Sequence, residues 1–234
     1  MLAVFKKEVK SYFYSPIAYV LIGFFILISS VFYIPNLFQQ YGEFNGNLYT
    51  MALVLVFIVP ILTMRIIAED RKNGTEVLLL TSPVSLTNIV LGKYLAALLV
   101  FTVMTFLTLV YPIILFIFGK PALAMLIGGY IGFYLMGASF IAVGLFASSL
   151  TENQIIAAVV GIVSLLIMWV IQGVAGLVGG VFGKVLNWFS LLSRYDDFNK
   201  GILNLSPIIY YLSFIAVFIF ITIRVIERRR WSQG

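Results

Sequence analysis

Charged and hydroxyl side chains that could do chemistry are concentrated in one stretch of this chain, from Arg65 to Lys93. The stretch reads RIIAEDRKNGTEVLLLTSPVSLTNIVLGK and lies between the second and third of six long apolar segments, whose interiors have no acidic or basic residue. Ion-driven transporters usually need an ionisable group inside the membrane to carry the coupling charge. Active transport by this chain would therefore draw its energy from a source outside the membrane. The charged stretch is the best candidate for the site at which that energy is coupled to the membrane helices.

The residue types that common membrane enzymes require are missing. The sequence has no Cys and no His, which excludes disulfides, thiolate metal sites, Cys nucleophiles, His general bases and the HExxH signature. The nearest approach to a catalytic cluster is Arg194 with Asp196 and Asp197, but exposed ion pairs of this kind are usually worth only about 0–1 kcal/mol. We therefore predict that this chain is not an enzyme and holds no catalytic residue, metal ligand or cofactor.

The elements that position the charged stretch are predicted to be membrane helices. The chain has 234 residues, of which 62% are hydrophobic and 10% are charged, whereas a soluble domain has about 25% charged residues. Each helical span needs about 20 apolar residues. We predict an all-α membrane protein, a single transmembrane domain over residues 1–234, with six spans at Pro16–Asn36, Leu48–Met64, Ile89–Phe118, Leu123–Ser148, Gln154–Gln172 and Pro207–Arg224.

The distribution of Lys and Arg predicts the orientation in the membrane. With both termini inside, the inner side holds Lys6, Lys7, Lys10, Arg65, Arg71, Lys72, Lys93, Arg224, Arg228, Arg229 and Arg230, and the outer side holds Lys120, Lys184, Arg194 and Lys200. This bias predicts that the chain lies in the cytoplasmic (inner) membrane and that both of its termini are in the cytoplasm. It also explains the net charge of +6 without a nucleic-acid partner.

Two further segments lie outside the spans. Residues 1–14 place Leu2, Phe5, Val9, Tyr12 and Phe13 on one helical face, with Lys6, Lys7 and Lys10 on another, which predicts an amphipathic helix in the headgroup region. Residues 173–206 begin with five glycines within eleven residues, a composition that disfavours a regular helix. We predict a broken or re-entrant hairpin on the outer face, with a glycine-packed extension of the fifth span as the alternative.

Within the charged stretch, residues 65–88 are predicted to hold a short helix. Asn73-Gly74 is a turn signal, Thr75 is a candidate helix cap, Glu76 suits the positive end of a helix, and Pro83 ends it. The residues between them are apolar: Val77, Leu78, Leu79 and Leu80. Such a helix either anchors the loop at the membrane surface or docks into a groove on a cytoplasmic partner. Ser85, which follows it, is predicted to cap the helix that forms the third span.

These residues resemble a known family, the permeases of type-2 ATP-binding-cassette (ABC) exporters, and most closely those of gliding-motility and nitrous-oxide-reductase-maturation operons. The similarity rests on the run Glu69, Gly74, Thr75, Glu76, Leu78, Leu79 and Pro83, and on Phe198, Gly201-Ile202, Leu205, Tyr210-Tyr211-Leu212-Ser213, Arg224, Glu227 and Arg229-Arg230-Trp231. Arg71 lies within the first run and is predicted to help orient the cytoplasmic partner. The resemblance implies a six-helix permease that dimerises with a second copy or a paralogue. It also implies that the short helix is a coupling helix seated on a separate ATPase, beside the N-terminal helix with Phe5, Lys6, Lys7 and Lys10.

The sequence agrees with this resemblance in one respect, because it has no G-x-x-x-x-G-K-[ST] phosphate loop. ATP and Mg²⁺ would therefore belong to the partner ATPase. Two alternatives are a stand-alone secondary transporter or channel, which would need polar groups at a shared membrane site, and a membrane scaffold subunit. The span hydroxyls, such as Ser30, Thr102 and Ser139, favour neither, since span hydroxyls most often bond to their own helix backbone.

Overall fold

The computed structural model describes residues 1–38, 44–76, 84–118, 122–180, 182–183, 188, 190–202 and 204–232. Helices dominate these ranges, and no strand occurs in them. In chain order they are α1 (Leu2–Tyr14), α2 (Pro16–Phe38), α3 (Asn45–Thr63), α4 (Arg65–Lys72), α5 (Leu86–Leu107), α6 (Val110–Phe118), α7 (Leu123–Leu150), α8 (Gln154–Val178), α9 (Leu191–Asn199) and α10 (Leu205–Ser232).

Six helical segments are long and apolar enough to cross a membrane, as the sequence predicts. They are Pro16–Pro35, Asn45–Lys72, Leu86–Ile117, Leu123–Leu150, Gln154–Val178 and Leu205–Arg229. The second of these combines α3 and α4, and the third combines α5 and α6. The chain is therefore an all-α, multi-pass membrane protein.

The helix α7 lies at the centre of the bundle, with 78% of its apolar window buried. Its glycines allow neighbouring helices to come close. A Cβ added at Gly144 would overlap the Thr63 hydroxyl of α3, and one added at Gly137 would overlap the Phe101 ring of α5. A Cβ at Gly132 would lie 2.7 Å from Phe198 Cβ in α9. Helices α3, α5 and α9 are thus packed directly on α7.

The third span is broken at Thr108 and Leu109, between α5 and α6. The break follows from Pro112, because a proline ring displaces the carbonyl four residues earlier from helical hydrogen bonding. That carbonyl belongs to Thr108, and it accepts hydrogen bonds from the Tyr111 N–H at 3.1 Å and from the Tyr130 hydroxyl on α7 at 3.0 Å. A tighter local turn and a neighbouring helix therefore both satisfy the carbonyl that the proline displaces, as expected for proline in a membrane helix.

The glycine-rich segment differs from the sequence prediction at its start. Helix α8 continues beyond Gln172 through Gly173 and Gly176 to Val178, so these two glycines do not end it. It ends at Gly179 and Gly180, whose positive φ angles of 60° and 61° are easily adopted by glycine. A tightly packed glycine extension is not observed, because a Cβ added at Gly173 or Gly176 would have no neighbour within 4 Å. Seven residues of the predicted hairpin segment 173–206 lie outside the described residues: 181, 184–187, 189 and 203.

Hydroxyl groups within the spans are bonded mainly to their own helices. Ser30, Thr102, Thr105 and Ser139 each donate to the carbonyl four residues earlier, at 2.7–3.0 Å. These bonds agree with the interpretation that span hydroxyls bond to their own helix backbone. Ser30 and Thr102 also contact tyrosine hydroxyls of other helices, Tyr111 at 2.8 Å and Tyr134 at 2.9 Å.

Candidate functional site at the charged end of the bundle

Both ends of the chain come together at one end of the helix bundle. There Lys93 near the start of α5 contacts Glu8 of α1, and Arg229 near the end of α10 donates a hydrogen bond of 2.9 Å to the carbonyl of Leu150 at the end of α7. We call this the charged end and define it by Lys7, Arg65, Arg71, Lys93 and Arg229. It also carries the beginning of the charged stretch that the sequence singled out.

Lys93 is the centre of a buried ion cluster at the charged end. It is 3% exposed. Its Nζ donates to Glu8 Oε1 of α1 at 2.8 Å, to the Ile66 carbonyl of α4 at 2.6 Å, and to the carboxylate of Asp70 in α4. These three acceptors match the three donors of an ammonium group, so the buried charge is both paired and fully hydrogen-bonded. The cluster joins α1, α4 and α5.

The predicted coupling helix and the residues that begin it, 75–83, are called the coupling segment below, and its start is fixed to this cluster. Gly74 forms a turn with φ +71°, and the Thr75 hydroxyl donates to the carbonyl and, at 2.8 Å, to the carboxylate of Asp70. Arg71 Nε donates to Glu76 Oε2 at 2.9 Å, and Arg71 Nη1 donates to the Ser149 carbonyl at 2.9 Å. The first residues of the segment are thereby tied to α4 and to the end of α7.

Ser148 of α7 holds the junction between α3 and α4. Its Oγ accepts hydrogen bonds of 3.1 Å from the backbone N–H groups of Ile67 and Ala68, and donates one of 2.9 Å to the Met64 carbonyl. The first N–H groups of a helix have no partner within that helix, and here a side chain of the neighbouring α7 supplies one. The direction of α4 is therefore set by α7.

Helix α1 is bound to the same junction through its last turn. The Tyr12 hydroxyl donates to the Leu62 carbonyl at 2.8 Å, and the Arg65 guanidinium lies over the Tyr12 ring, 5.3 Å from its centroid. Arg65 Nη2 also donates to Ser11 Oγ at 2.6 Å. Because these contacts join α1 to the end of α3, the N-terminal helix and the α3–α4 junction form one connected structure.

The opposite end of the bundle is closed by α9. Phe198 packs beside Tyr211, with ring centroids 6.4 Å apart, and the Tyr211 hydroxyl donates to the Leu191 carbonyl at 2.6 Å. Burial raises the pKa of the Asp196 carboxyl above its usual range, and Gln172 lies 3.4 Å from that carboxyl. This end has structural contacts but no grouping of three or more metal-ligand residues within the described ranges.

A family model described as ABC-2 family transporter protein matches residues 2–231. The chain belongs to the ABC-2 transporter family. No curated protein matches it. Members of this family are the membrane component of an ABC transporter, without an ATPase of their own, and the family implies an ABC ATPase partner and typically a dimer.

The structure of this ABC-2 permease places the sequence-predicted residues in three different settings. Lys6, Lys7 and Lys10 are exposed on α1, and Phe5 is half-buried against the core. Glu69 pairs with Arg65 at 3.4 Å, while Arg71, Gly74, Thr75 and Glu76 belong to the contacts described above. Leu78, Leu79 and Pro83 lie outside the described residues.

The side chains that precede the predicted coupling helix are bonded to α4. The Thr75 hydroxyl donates to Asp70, and Glu76 is paired with Arg71. The helix that they are predicted to begin lies outside the described residues, so their role at its start stays a prediction. On α1, Leu2 is 67% exposed, whereas Tyr12 on the same predicted apolar face is buried. The Asn73-Gly74 turn and the Ser85 cap, which accepts from Asn88 N at 3.4 Å, are confirmed.

Sequence reasoning missed the residues that organise the charged end, namely Glu8, Asp70, Lys93 as a buried group, and Ser148. One signal was present in the sequence: Glu8 lies four residues from both Val4 and Tyr12, and all three are buried on α1. A carboxylate flanked at helical spacing by core residues must be paired. The identity of its partner could not be read, because Lys93 is 85 residues away.

Proposed function

We propose that this chain is the membrane-spanning permease subunit of an ATP-driven ABC exporter, and that it couples ATP hydrolysis by a separate ATPase subunit to substrate export. The observation that supports this most directly is the attachment of the coupling segment. Its first residues, Thr75 and Glu76, are bonded to Asp70 and Arg71, which in turn contact α5 through Lys93 and α7 through the Ser149 carbonyl. Displacement of the segment by a partner would therefore act on α4, α5 and α7 together.

The magnitudes are compatible with such a role. Burying each apolar side chain such as Leu78 or Leu79 in a partner groove contributes about 1.5–3 kcal/mol. Shifting a two-state membrane domain from mostly closed to mostly open takes about 5.5 kcal/mol of differential binding. Two or three such leucines on one short helix would supply a large part of that difference, and a dimer would present two such helices.

The setting proposed for the subunit follows from the resemblance and from the charge distribution. It lies in the inner membrane with both termini and the charged end in the cytoplasm, where an ATPase has access to ATP and Mg²⁺. It pairs with a second copy or a paralogue, and we assign it to the type of permease found in gliding-motility and nitrous-oxide-reductase-maturation operons. Exposed Lys6 and Lys7 on α1, beside the coupling segment, would help to orient the partner.

The coupling role of Leu79 is tested by coexpression with the ABC ATPase proposed as its partner. We expect Leu79→Asp to abolish copurification of the ATPase, because a buried carboxylate in an apolar groove is strongly unfavourable. Leu79→Met is the matched control and should copurify as the unchanged chain does, since Met fills a similar volume. Undiminished copurification and export with Leu79→Asp would contradict the coupling assignment. Gradient-driven flux through the purified chain alone, without nucleotide, would contradict the ATP-driven mechanism.

A further inference from the structure

A lateral groove of about 680 Å³ runs between the first half of α5 and the part of α10 from Leu212 to Glu227. Its size falls within the usual range for small-molecule sites, about 300–1,000 Å³. The span that forms one wall, Leu205–Arg229, has the smallest buried share of the six, 17%. The groove is therefore open to the surrounding bilayer rather than to the bundle interior.

The groove has a graded polarity along its length. Its walls are apolar over most of their length, with Leu91, Leu95, Leu212, Ile215, Ile219 and Ile223. Arg224 and Glu227 lie at the mouth, where α10 reaches the charged end. An occupant that matches this pattern has a polar head at the charged end and an apolar tail that points towards the middle of the membrane.

The length of the apolar part equals the depth of one leaflet. Leu212 and Ile223 are eleven residues apart in α10, which corresponds to about 16 Å along a helix axis. Half of a hydrocarbon core of about 30 Å is about 15 Å. The groove therefore accommodates one lipid of one leaflet and is too short to be a path across the membrane.

The mouth carries two opposite charges that match a zwitterionic headgroup. Arg224 Nη1 lies 2.8 Å from Glu227 Oε2, and their side chains are 62% and 39% exposed. The Arg224 guanidinium is held over the Phe220 ring, 5.0 Å from its centroid. An exposed pair of this kind is worth only about 0–1 kcal/mol, so it opens easily. The remaining guanidinium donors suit a phosphate, and the carboxylate suits an ammonium group.

We propose that the α5–α10 groove binds one bilayer phospholipid with a phosphoethanolamine head. The phosphate lies on Arg224, the ammonium group lies on Glu227, and one acyl chain lies along the apolar walls. This site is independent of the coupling segment, and the inference does not depend on the proposed ATPase partner.

The occupant is tested with the purified, delipidated full chain and added phosphatidylethanolamine, with bound lipid measured by native mass spectrometry. Ala216 lines the groove, whereas the next residue, Val217, is 52% exposed and does not line it. We expect Ala216→Trp to fill the groove and lower the bound lipid by roughly five-fold or more, and Val217→Trp to leave it within about two-fold. Equal lipid binding by the unchanged chain and Ala216→Trp would overturn the proposal.

Headgroup recognition is tested by charge variants in the same measurement. We expect Arg224→Gln to reduce binding of both phosphatidylethanolamine and phosphatidylglycerol, and Glu227→Gln to reduce the preference for phosphatidylethanolamine over phosphatidylglycerol. Arg228→Gln, an exposed neighbour outside the groove, is the matched control and should change neither. If Ala216→Trp instead removes a dimer signal while lipid binding stays constant, the groove is occupied by a second copy of the chain and the lipid assignment is overturned.

Discussion

The three donors of the Lys93 ammonium group meet acceptors on two neighbouring helices, Glu8 on α1 and Ile66 and Asp70 on α4. A buried ion pair does not by itself add much stability, because desolvation offsets the attraction. Removing one partner is different, since it leaves the remaining charge buried and uncompensated. In this permease the removal of Lys93 would leave the carboxylates of Glu8 and Asp70 without their buried cation. The exposed Lys7 lies 3.8 Å from the first and 3.4 Å from the second.

We therefore expect Lys93→Met to lower the free energy of unfolding by about 3–5 kcal/mol. Thermal unfolding of the purified permease in detergent measures the loss. The matched control is Lys6→Met, which removes an exposed lysine of α1 and should change stability by less than about 0.5 kcal/mol. The triple variant Glu8→Gln, Asp70→Asn, Lys93→Met removes the uncompensated charges and should recover part of the loss. A Lys93→Met protein as stable as the unchanged one would contradict the described cluster.

At the scale of elements, α7 determines how the other helices approach one another. Because Gly144 faces the Thr63 hydroxyl of α3, even an alanine there would overlap it. In lipid, helix association depends on close packing rather than on the hydrophobic effect. A small loss of contact between α3 and α7 therefore affects the fold directly, and also the α3–α4 junction that Ser148 holds one turn further along α7.

We expect Gly144→Ala to destabilise the protein and Gly23→Ala not to do so. Gly144→Ala should lower the free energy of unfolding by about 1–3 kcal/mol, because the added methyl forces α3 away from α7. Gly23 of α2 has no atom within 4 Å of an added Cβ, so Gly23→Ala should leave stability unchanged or raise it by up to about 1 kcal/mol. Thermal unfolding in detergent compares the two variants. Equal effects of both substitutions would mean that Gly144 does not mediate the contact.

The elements show which features a sequence of this kind reveals. The six spans were predicted because they follow from the lengths of the apolar runs. The Asn73-Gly74 turn and the Ser85 cap were predicted because they follow from local chemistry. The helical conformation of Gly173 and Gly176 was not the main prediction, because a helix already formed by residues 154–172 can continue through a segment of low helix propensity. The ion cluster was not predicted either, since the pairing of Glu8 with Lys93 is decided by the packing of α1 on α5.

At the scale of the whole molecule, the even number of spans brings both termini to the charged end. The contacts of Lys93 with Glu8 and of Arg229 with Leu150 support this arrangement independently of any membrane. The arrangement fixes which residues share a side, but not which side faces the cytoplasm. That choice rests on the excess of Lys and Arg at the charged end.

The absence of cysteine makes the orientation directly measurable, because any introduced cysteine is unique. Lys10 and Arg228 are exposed at the charged end, and Lys200 is exposed beyond α9 at the opposite end. In intact spheroplasts, we expect a membrane-impermeant maleimide to label Lys200→Cys, and to label Lys10→Cys and Arg228→Cys only after permeabilisation. The reverse pattern would invert the proposed orientation and remove the ATPase from reach of the coupling segment. Labelling of Lys10→Cys and Arg228→Cys from opposite sides would contradict six spans.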